Sequence, residues 1–346
     1  VAPGADPAVE PSGDRRGPRP AGLPTSPPAD PPVDPPADPP IDLPPDWPHR
    51  THSRRLDVQG QRWHLQVFGA PGLAPDLLLL HGAGASAHSW RDLAPALAAG
   101  RRVIVPDLPG HGWTAPPTAP QGLSLPGMAG LLGALLRALG CGRVALVGHS
   151  AGAAVAARMA LDGLADAHIV VGLNGAWLPP AGQGRWFYGP LARLLAHNPL
   201  VPPLVAWSAR QPGPVQRLVD STGSRLDARG VALYAQLVRR SAHVSAVMAM
   251  MAAWDLAPLL RDLPRLRAPL HLLVADGDLT VPEVASVRAR ERVPSAHWHP
   301  LPGLGHLAHE EAPARVLAVL QAALGTPGAD GSGPLSPTPL PQGERG

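Results

Sequence analysis

From residue 54 onward, short apolar runs alternate with stretches in which apolar positions recur every three or four residues, the pattern of a sheet covered by helices. Trp63, Leu65 and Val67 share one face of a predicted strand over 63–67, preceded by a shorter one over 56–58. The unbroken run 77–80 is what a strand buried on both faces requires. A helix over 90–97 follows, then a strand at 103–105, a helix over 128–139, and a strand at 144–147 running into a small-residue helix over 151–161. Strands at 168–173, at 270–275 and around Trp298, and a last helix over 314–324, complete the set. Between Asn174 and Leu270 the alternation stops. Helical periods broken at Pro and Gly predict a helical cap of about 177–262, inserted in an α/β core of 49–176 and 263–326 whose sheet is mostly parallel.

The two ends of the chain follow a different pattern. Residues 1–48 hold 17 of the 47 prolines and residues 327–346 another 5, so the excess lies outside a 278-residue middle. Between Asp30 and Asp46 the chain repeats Asp-Pro-Pro-X, which favours extended polyproline conformation and offers no apolar face. Residues 1–48 are therefore predicted to be a disordered arm and 327–346 a disordered tail. A chain trimmed to Asp46–Thr326 is expected to unfold with nearly the full-length midpoint.

Composition then narrows the function classes. A single cysteine, Cys141, excludes an internal disulfide framework, a thiolate zinc site and a cysteine-ligated iron–sulfur cluster, and reads as a small apolar residue before a strand. All 29 basic residues are arginine, which removes P-loop ATPases and Schiff-base mechanisms. The middle carries a net charge of +9, yet it has no helix-turn-helix pattern and no basic run longer than two arginines, so nucleic acid is not an expected partner. No run of about 18 apolar residues reads as a transmembrane segment, and no apolar leader opens the chain, so a cytoplasmic protein is expected.

The first chemical signal is Gly148-His149-Ser150-Ala151-Gly152, between an apolar strand and an alanine-rich helix. A serine on such a turn projects its Oγ from the sheet edge, and the flanking glycines remove side chains that would collide. An activated serine needs a base and a group to orient that base. His306, in a Gly-rich loop after the last strand, is the candidate base. Asp276 and Asp278 both follow the strand 270–275, and Asp278 is favoured because it lies deeper in the loop that must reach the histidine. Asn174-Gly175, ending the strand before the cap, offers no carboxylate. His81-Gly82-Ala83-Gly84 follows the buried strand 77–80, making the amides of Ala83 and Ala151 candidate oxyanion donors.

The remaining features have blander readings. His81 and His149 are expected to be packed, hydrogen-bonded histidines. His297 with His299, and His306 with His309, lack a completing carboxylate, so no metal site is expected. In the cap, His243, Val247, Met250, Met251 and Trp254 fall on one helical face. They read either as packing or as the soft wall of an apolar substrate pocket with Arg239 and Arg240 nearby. Trp177, Trp186 and Phe187 share that ambiguity.

The stretch from Asp46 to about Leu324 resembles the α/β-hydrolase superfamily. The general motifs are His81-Gly82, Asp107-Leu108-Pro109-Gly110-His111-Gly112, Gly148 to Gly152, Asp278 and His306. Within the superfamily it is similar to the magnesium-chelatase accessory proteins of bacteriochlorophyll biosynthesis. That narrower likeness rests on Asp46-Trp47-Pro48, Ala87-His88-Ser89-Trp90-Arg91, Gly172-Leu173-Asn174-Gly175-Ala176, Asn198-Pro199-Leu200-Val201-Pro202, the cap stretch from Ala249 to Asp255, and Leu304 to Glu311. The arm and tail depart from the pattern. The resemblance implies a role beside magnesium insertion into protoporphyrin, with chelatase subunits as partners. Two expectations follow: a cofactor-free serine esterase acting on a small-molecule ester, or a binding protein that holds a magnesium-protoporphyrin-type ligand and leaves the triad unused. A dehalogenase or epoxide hydrolase of this fold would need an aspartate where Ser150 stands.

Overall fold

Eight strands form one sheet in the order β1-β2-β4-β3-β5-β6-β7-β8, in a computed structural model that describes residues 41–178, 198–211 and 213–325. In chain order the elements are β1 (Ser53–Val58), β2 (Gln61–Phe68), β3 (Asp76–Leu80), α1 (Ala94–Leu97), β4 (Val103–Pro106), α2 (Leu125–Ala138), β5 (Arg143–His149), α3 (Ala151–Leu161) and β6 (Asp166–Leu173). The helices α4 (Val201–Ser208), α5 (Pro214–Asp220), α6 (Ala228–Val238), α7 (Ser241–Ala253) and α8 (Ala257–Asp262) follow. The chain then forms β7 (Leu270–Ala275), α9 (Glu283–Arg292), β8 (His297–Leu301), α10 (Ala308–Glu311) and α11 (Pro313–Leu324). β1 and β2 form an antiparallel hairpin and β2 pairs antiparallel with β4, while every pair from β4 to β8 is parallel.

The unbroken apolar run of β3 serves two cores at once because strand side chains alternate in direction. Leu78 and Leu80 pack with Met128, Leu132, Leu135 and Val155 of α2 and α3. Leu77 and Leu79 pack on the other face with Trp90, Leu93, Val316 and Leu320, beside α1 and α11. All four leucines are fully buried. α2 begins earlier than its apolar period suggests, since Ser124 caps it by accepting from Gly127 N–H (3.2 Å) and Pro126 suits the first turn.

Two expectations are corrected, and one helix joins the expected set. The helix over 90–97 is a 3₁₀ turn, Ala87–Trp90, followed by the short α1, because Pro95 lacks the N–H that a continuous helix would use. α9 gave no periodic signal: its outward residues are charged, and Val284 and Val287 are exposed. The arm does not run to residue 48. Leu43 and Trp47 are 4% and 3% exposed and pack on Leu233 and Leu237 of α6, with Ile41 and Trp113 at the rim. Trp113 Nε1 donates to Asp42 O (3.1 Å) and Gln66 Nε2 to Pro48 O (2.7 Å). Three apolar side chains among the prolines are enough to dock an extended segment whose prolines reduce the entropy lost on ordering.

Among the described residues between Asn174 and Leu270 every regular element is helical. Residues 1–40, 179–197, with Trp186 and Phe187, 212 and 326–346 lie outside the described residues. No single helix among those described is long and apolar enough to cross a membrane. In the parallel part of the sheet the carboxyl ends of the strands point one way, so the segments after β3, β4, β5, β6, β7 and β8 emerge at one edge, where ligands bind in open α/β sheets.

Candidate active site

β5 passes directly into α3 through Ser150, whose backbone has φ 51° and ψ −116°. Positive φ is costly for a residue with a β-carbon, about 1–3 kcal/mol, and persists only where the surroundings impose it. They do so here from three sides. Ser150 N–H donates to Leu173 O (3.0 Å), and Ser150 O accepts from Ala153 N–H (3.1 Å) and Ala176 N–H (3.0 Å). A β-carbon at Gly148 would strike the backbone of Gly152 and Ala153, and one at Gly152 would strike the Leu80 carbonyl, so both positions require glycine. Ser150 is 8% exposed.

The loop His81-Gly82-Ala83-Gly84 lies against this elbow. A β-carbon added to Gly82 would stand 2.8 Å from His149 Nδ1 and 3.1 Å from Ser150 Cβ. Among the described residues the N–H groups of Ala83 and Ala151 are bonded to no protein acceptor, and Ala151 opens α3 with the positive end of its dipole.

His306 Nδ1 donates to Asp278 Oδ2 at 2.7 Å, both side chains being almost fully buried. The other carboxylate oxygen, Oδ1, accepts from Thr280 N–H (2.7 Å) and Val281 N–H (2.8 Å), leaving Asp278 an acceptor throughout. Asp276 instead accepts from Gly303 N–H (2.6 Å), pinning the loop that leads to His306. Ser150 Oγ makes no hydrogen bond among the described residues. Such bonds are commonly long in unliganded sites and tighten on binding. What brings His306 to the elbow is its backbone: the His306 carbonyl accepts from Asn174 Nδ2 (2.9 Å) and from Nε2 of His149, the neighbour of Ser150 (2.9 Å).

Asn174 is a site residue that sequence reasoning passed over, because only carboxylates were sought at the end of β6. With φ 46°, it donates to the Gly305 and His306 carbonyls and accepts from Ala275 N–H (2.9 Å), joining the exits of β6 and β7 to the histidine loop. An Asn-Gly pair ending a strand was the available signal.

Around these groups lies a layer of buried imidazoles. His81 Nε2 accepts from Leu108 N–H (2.9 Å) and its Nδ1 donates to Gly82 O (2.8 Å). Burial pushes His81, His88, His111, His149 and His309 below the ordinary imidazole value, and His243 down to about 4. Asp107, a carboxylate buried among them, accepts from His64 Nδ1 (2.7 Å), Ala87 N–H (2.7 Å) and Trp113 N–H (2.8 Å). Burial opposes its charge, yet His64 and these donors hold it well below the usual carboxylate range. Cys141 is half-buried, and desolvation pushes its thiol up to about 12. Among the described residues no group of three or more His, Cys, Asp or Glu converges to hold a metal ion.

The cap stripe is spent largely on packing, the first of its two readings. Met250 (1% exposed) and Trp254 belong to the main core cluster, and Trp254 Nε1 donates to Leu123 O (2.9 Å). His243 bridges loops, accepting from Gly112 N–H (3.1 Å) and donating to Gly84 O (3.2 Å). Val247 and Met251 of the stripe stay half-buried. Trp177 is core, lying under Gly172 and Gly175. Arg240 stacks over Trp113 (4.8 Å) and Arg239 Nε donates to Ala209 O (3.2 Å), so both guanidinium groups are engaged with the protein.

Comparison with known proteins agrees with this architecture. Residues 77–319 match the profile of the alpha/beta hydrolase family. The Magnesium-chelatase 30 kDa subunit of Rhodobacter capsulatus is 41% identical over 266 residues, 77% of this chain and 92% of that protein. Among solved structures, an alpha/beta hydrolase fold protein from Burkholderia ambifaria superposes with a TM-score of 0.64 at 24% identity, covering 78% of this chain and 97% of the other. A thermophilic esterase from Thermogutta terrifontis does so with a TM-score of 0.59 at 23% identity, covering 78% and 98%. At those identities the two structures share the fold.

Proposed function

The chain belongs to the alpha/beta hydrolase family, and on that premise we propose that it is a serine hydrolase of carboxylic esters that works beside magnesium chelatase. The observation that carries this reading is the strained Ser150 at the β5–α3 turn, next to a buried His306–Asp278 pair joined at 2.7 Å. In the proposed reaction Ser150 Oγ attacks the ester carbonyl carbon while His306 Nε2 takes its proton. Asp278 fixes the tautomer and supports the imidazolium. The carbonyl oxygen becomes an oxyanion facing the N–H groups of Ala83 and Ala151. Collapse expels the alcohol, which receives the proton from His306. Water, deprotonated by His306, then attacks the acyl-enzyme and releases the acid, restoring Ser150. The neutral state of His149 and His309 suits this cycle, since no second imidazolium stands beside the one formed at His306.

The test is a fluorophosphonate probe, which labels an activated serine. Ser150 should be the labelled residue, and His306→Ala should slow labelling by at least about two orders of magnitude, the scale of a lost general base. Labelling elsewhere, or at an unchanged rate without His306, would exclude the triad. The substrate in this reading is a small-molecule ester, and the relative named a magnesium-chelatase subunit supports placing its use beside magnesium insertion. That same name favours a second reading, a porphyrin-holding accessory protein of chelatase with an idle triad. Ser150→Ala decides between them. Failure to restore pigment synthesis in a strain lacking this protein, with magnesium protoporphyrin binding intact, supports the hydrolase; full restoration supports the accessory role.

A further inference from the structure

Asp278 and His306 stand on loops from two different strands, β7 and β8, and the cap reaches between those loops. The turn after α5, Thr222-Gly223-Ser224, touches both. Thr222 O accepts from Leu279 N–H, beside the acid, and from the N–H of His306 itself, each at 3.2 Å. Ser224 is 1% exposed, and its Oγ accepts from Leu307 N–H (2.7 Å). Gly223 has φ 80°, and a β-carbon there would strike the Gly277 carbonyl, while one at Gly305 would strike the backbone of Gly223 and Ser224. Three glycines, one from each segment, thus let three backbones meet without intervening side chains. A second cap contact falls just beyond the histidine: Tyr234 Oη of α6 donates to Glu310 Oε1 (2.6 Å), which also accepts from Ser89 Oγ (2.6 Å), while Arg91 donates to Oε2 (2.5 Å).

We propose that the cap turn Thr222-Gly223-Ser224 is a positioning element that sets His306 on Asp278. The shared Thr222 carbonyl fixes the spacing of the acid and histidine loops, Ser224 fixes the chain just past the histidine, and seating of the cap is thereby coupled to assembly of the pair. This rests on the reading of Ser150, His306 and Asp278 as a triad. The physical need is plain: the two loops share no strand, and a displacement of about 1 Å in such a pair is enough to cost on the order of a hundredfold in rate.

The experiment uses the full chain with Ser224→Ala and Gly223→Ala. It measures the fluorophosphonate labelling rate across pH together with the downfield proton resonance of His306 Nδ1 in its bond to Asp278. Ser224→Ala should keep a native circular dichroism spectrum yet label about tenfold more slowly. The pH profile of labelling should depart from the wild-type profile, and the downfield proton should shift or broaden. Gly223→Ala should do the same more strongly. If both variants lower only the melting temperature and keep the wild-type rate, inflection and downfield proton, the turn is packing and the proposal fails. A wild-type protein unlabelled at Ser150 would overturn the triad instead. The downfield proton would still decide whether the turn places His306 on Asp278.

Discussion

The belt of the sheet and the layer above its carboxyl edge are both buried, and they are buried on opposite terms. In the belt, Leu77 to Leu80, Val103, Val147, Val171 and Leu272 are fully enclosed and satisfied by contact alone. In the layer, His81, His88, His111, His149, His243, His309 and Asp107 are 3% exposed or less, and most of them hold a loop by a directed hydrogen bond. An apolar belt tolerates any pH and fails when volume is removed. A polar layer keeps its volume and fails when a proton arrives. The site residues stand in the second region, where geometry is set bond by bond.

Acidification should expose this difference most strongly. An imidazole held below its ordinary value binds a proton in the unfolded chain before it does so in the native one. Each such group therefore lowers stability as pH falls below about 6.5, by up to ~1.4 kcal/mol per pH unit, until its native value is reached. His81, His88, His111, His149, His243 and His309 act in the same direction. Several kcal/mol should be gone by pH 5.5, a large part of the ~5–15 kcal/mol of a typical domain. Asp107, whose native value is depressed, adds its own loss only below about pH 4. Guanidinium midpoints from pH 8 to 5 would test this, and a flat profile would remove the distinction between the regions.

The belt should break the other way. Leu79→Ala leaves a cavity between the sheet and Trp90 and should cost about 3 kcal/mol at every pH, while labelling of Ser150 in the folded protein stays near wild type. A loss of labelling without a loss of stability would mean that the belt also sets the site. Smaller again is the N-terminal strap. Removing residues 1–40 should leave the midpoint unchanged, whereas starting at residue 49 gives up the burial of Leu43 and Trp47. Ordering eight residues costs roughly 1 kcal/mol each, which offsets most of that burial, so a net loss of about 2 kcal/mol is expected.

The two regions also differ in how well the sequence discloses them. Apolar runs and helical periods mark the belt to within a few residues, because contact with either face is encoded in every position. Ser150, His306 and the flanking glycines were legible too, since an elbow leaves a local signature. Asn174, Ser224, Tyr234 and Glu310 were not: each acts on a segment between 60 and 230 residues away, and a side chain that caps a distant amide looks like any surface polar residue in the chain. Leu43 and Trp47 were hidden for the converse reason, as apolar residues in a context whose prolines argue for extension.

The smallest effect separates the two carboxylates of one loop. Asp276 and Asp278 both accept from backbone amides, but only Asp278 also meets His306. Asn at 276 keeps an oxygen for Gly303 N–H and should change stability by no more than about 0.5 kcal/mol and labelling by less than about twofold. Asn at 278 keeps the geometry but cannot support an imidazolium and can present its amide to the wrong tautomer, so labelling should fall steeply. Both substitutions remove one negative charge from the same few residues, so a difference between them measures the contact with His306 and not the field of the loop. A severe Asp276→Asn beside a mild Asp278→Asn would transfer the acid to Asp276. It would also mean that the 2.7 Å bond to His306 is a scaffold contact, of the same kind as those that surround Asp107.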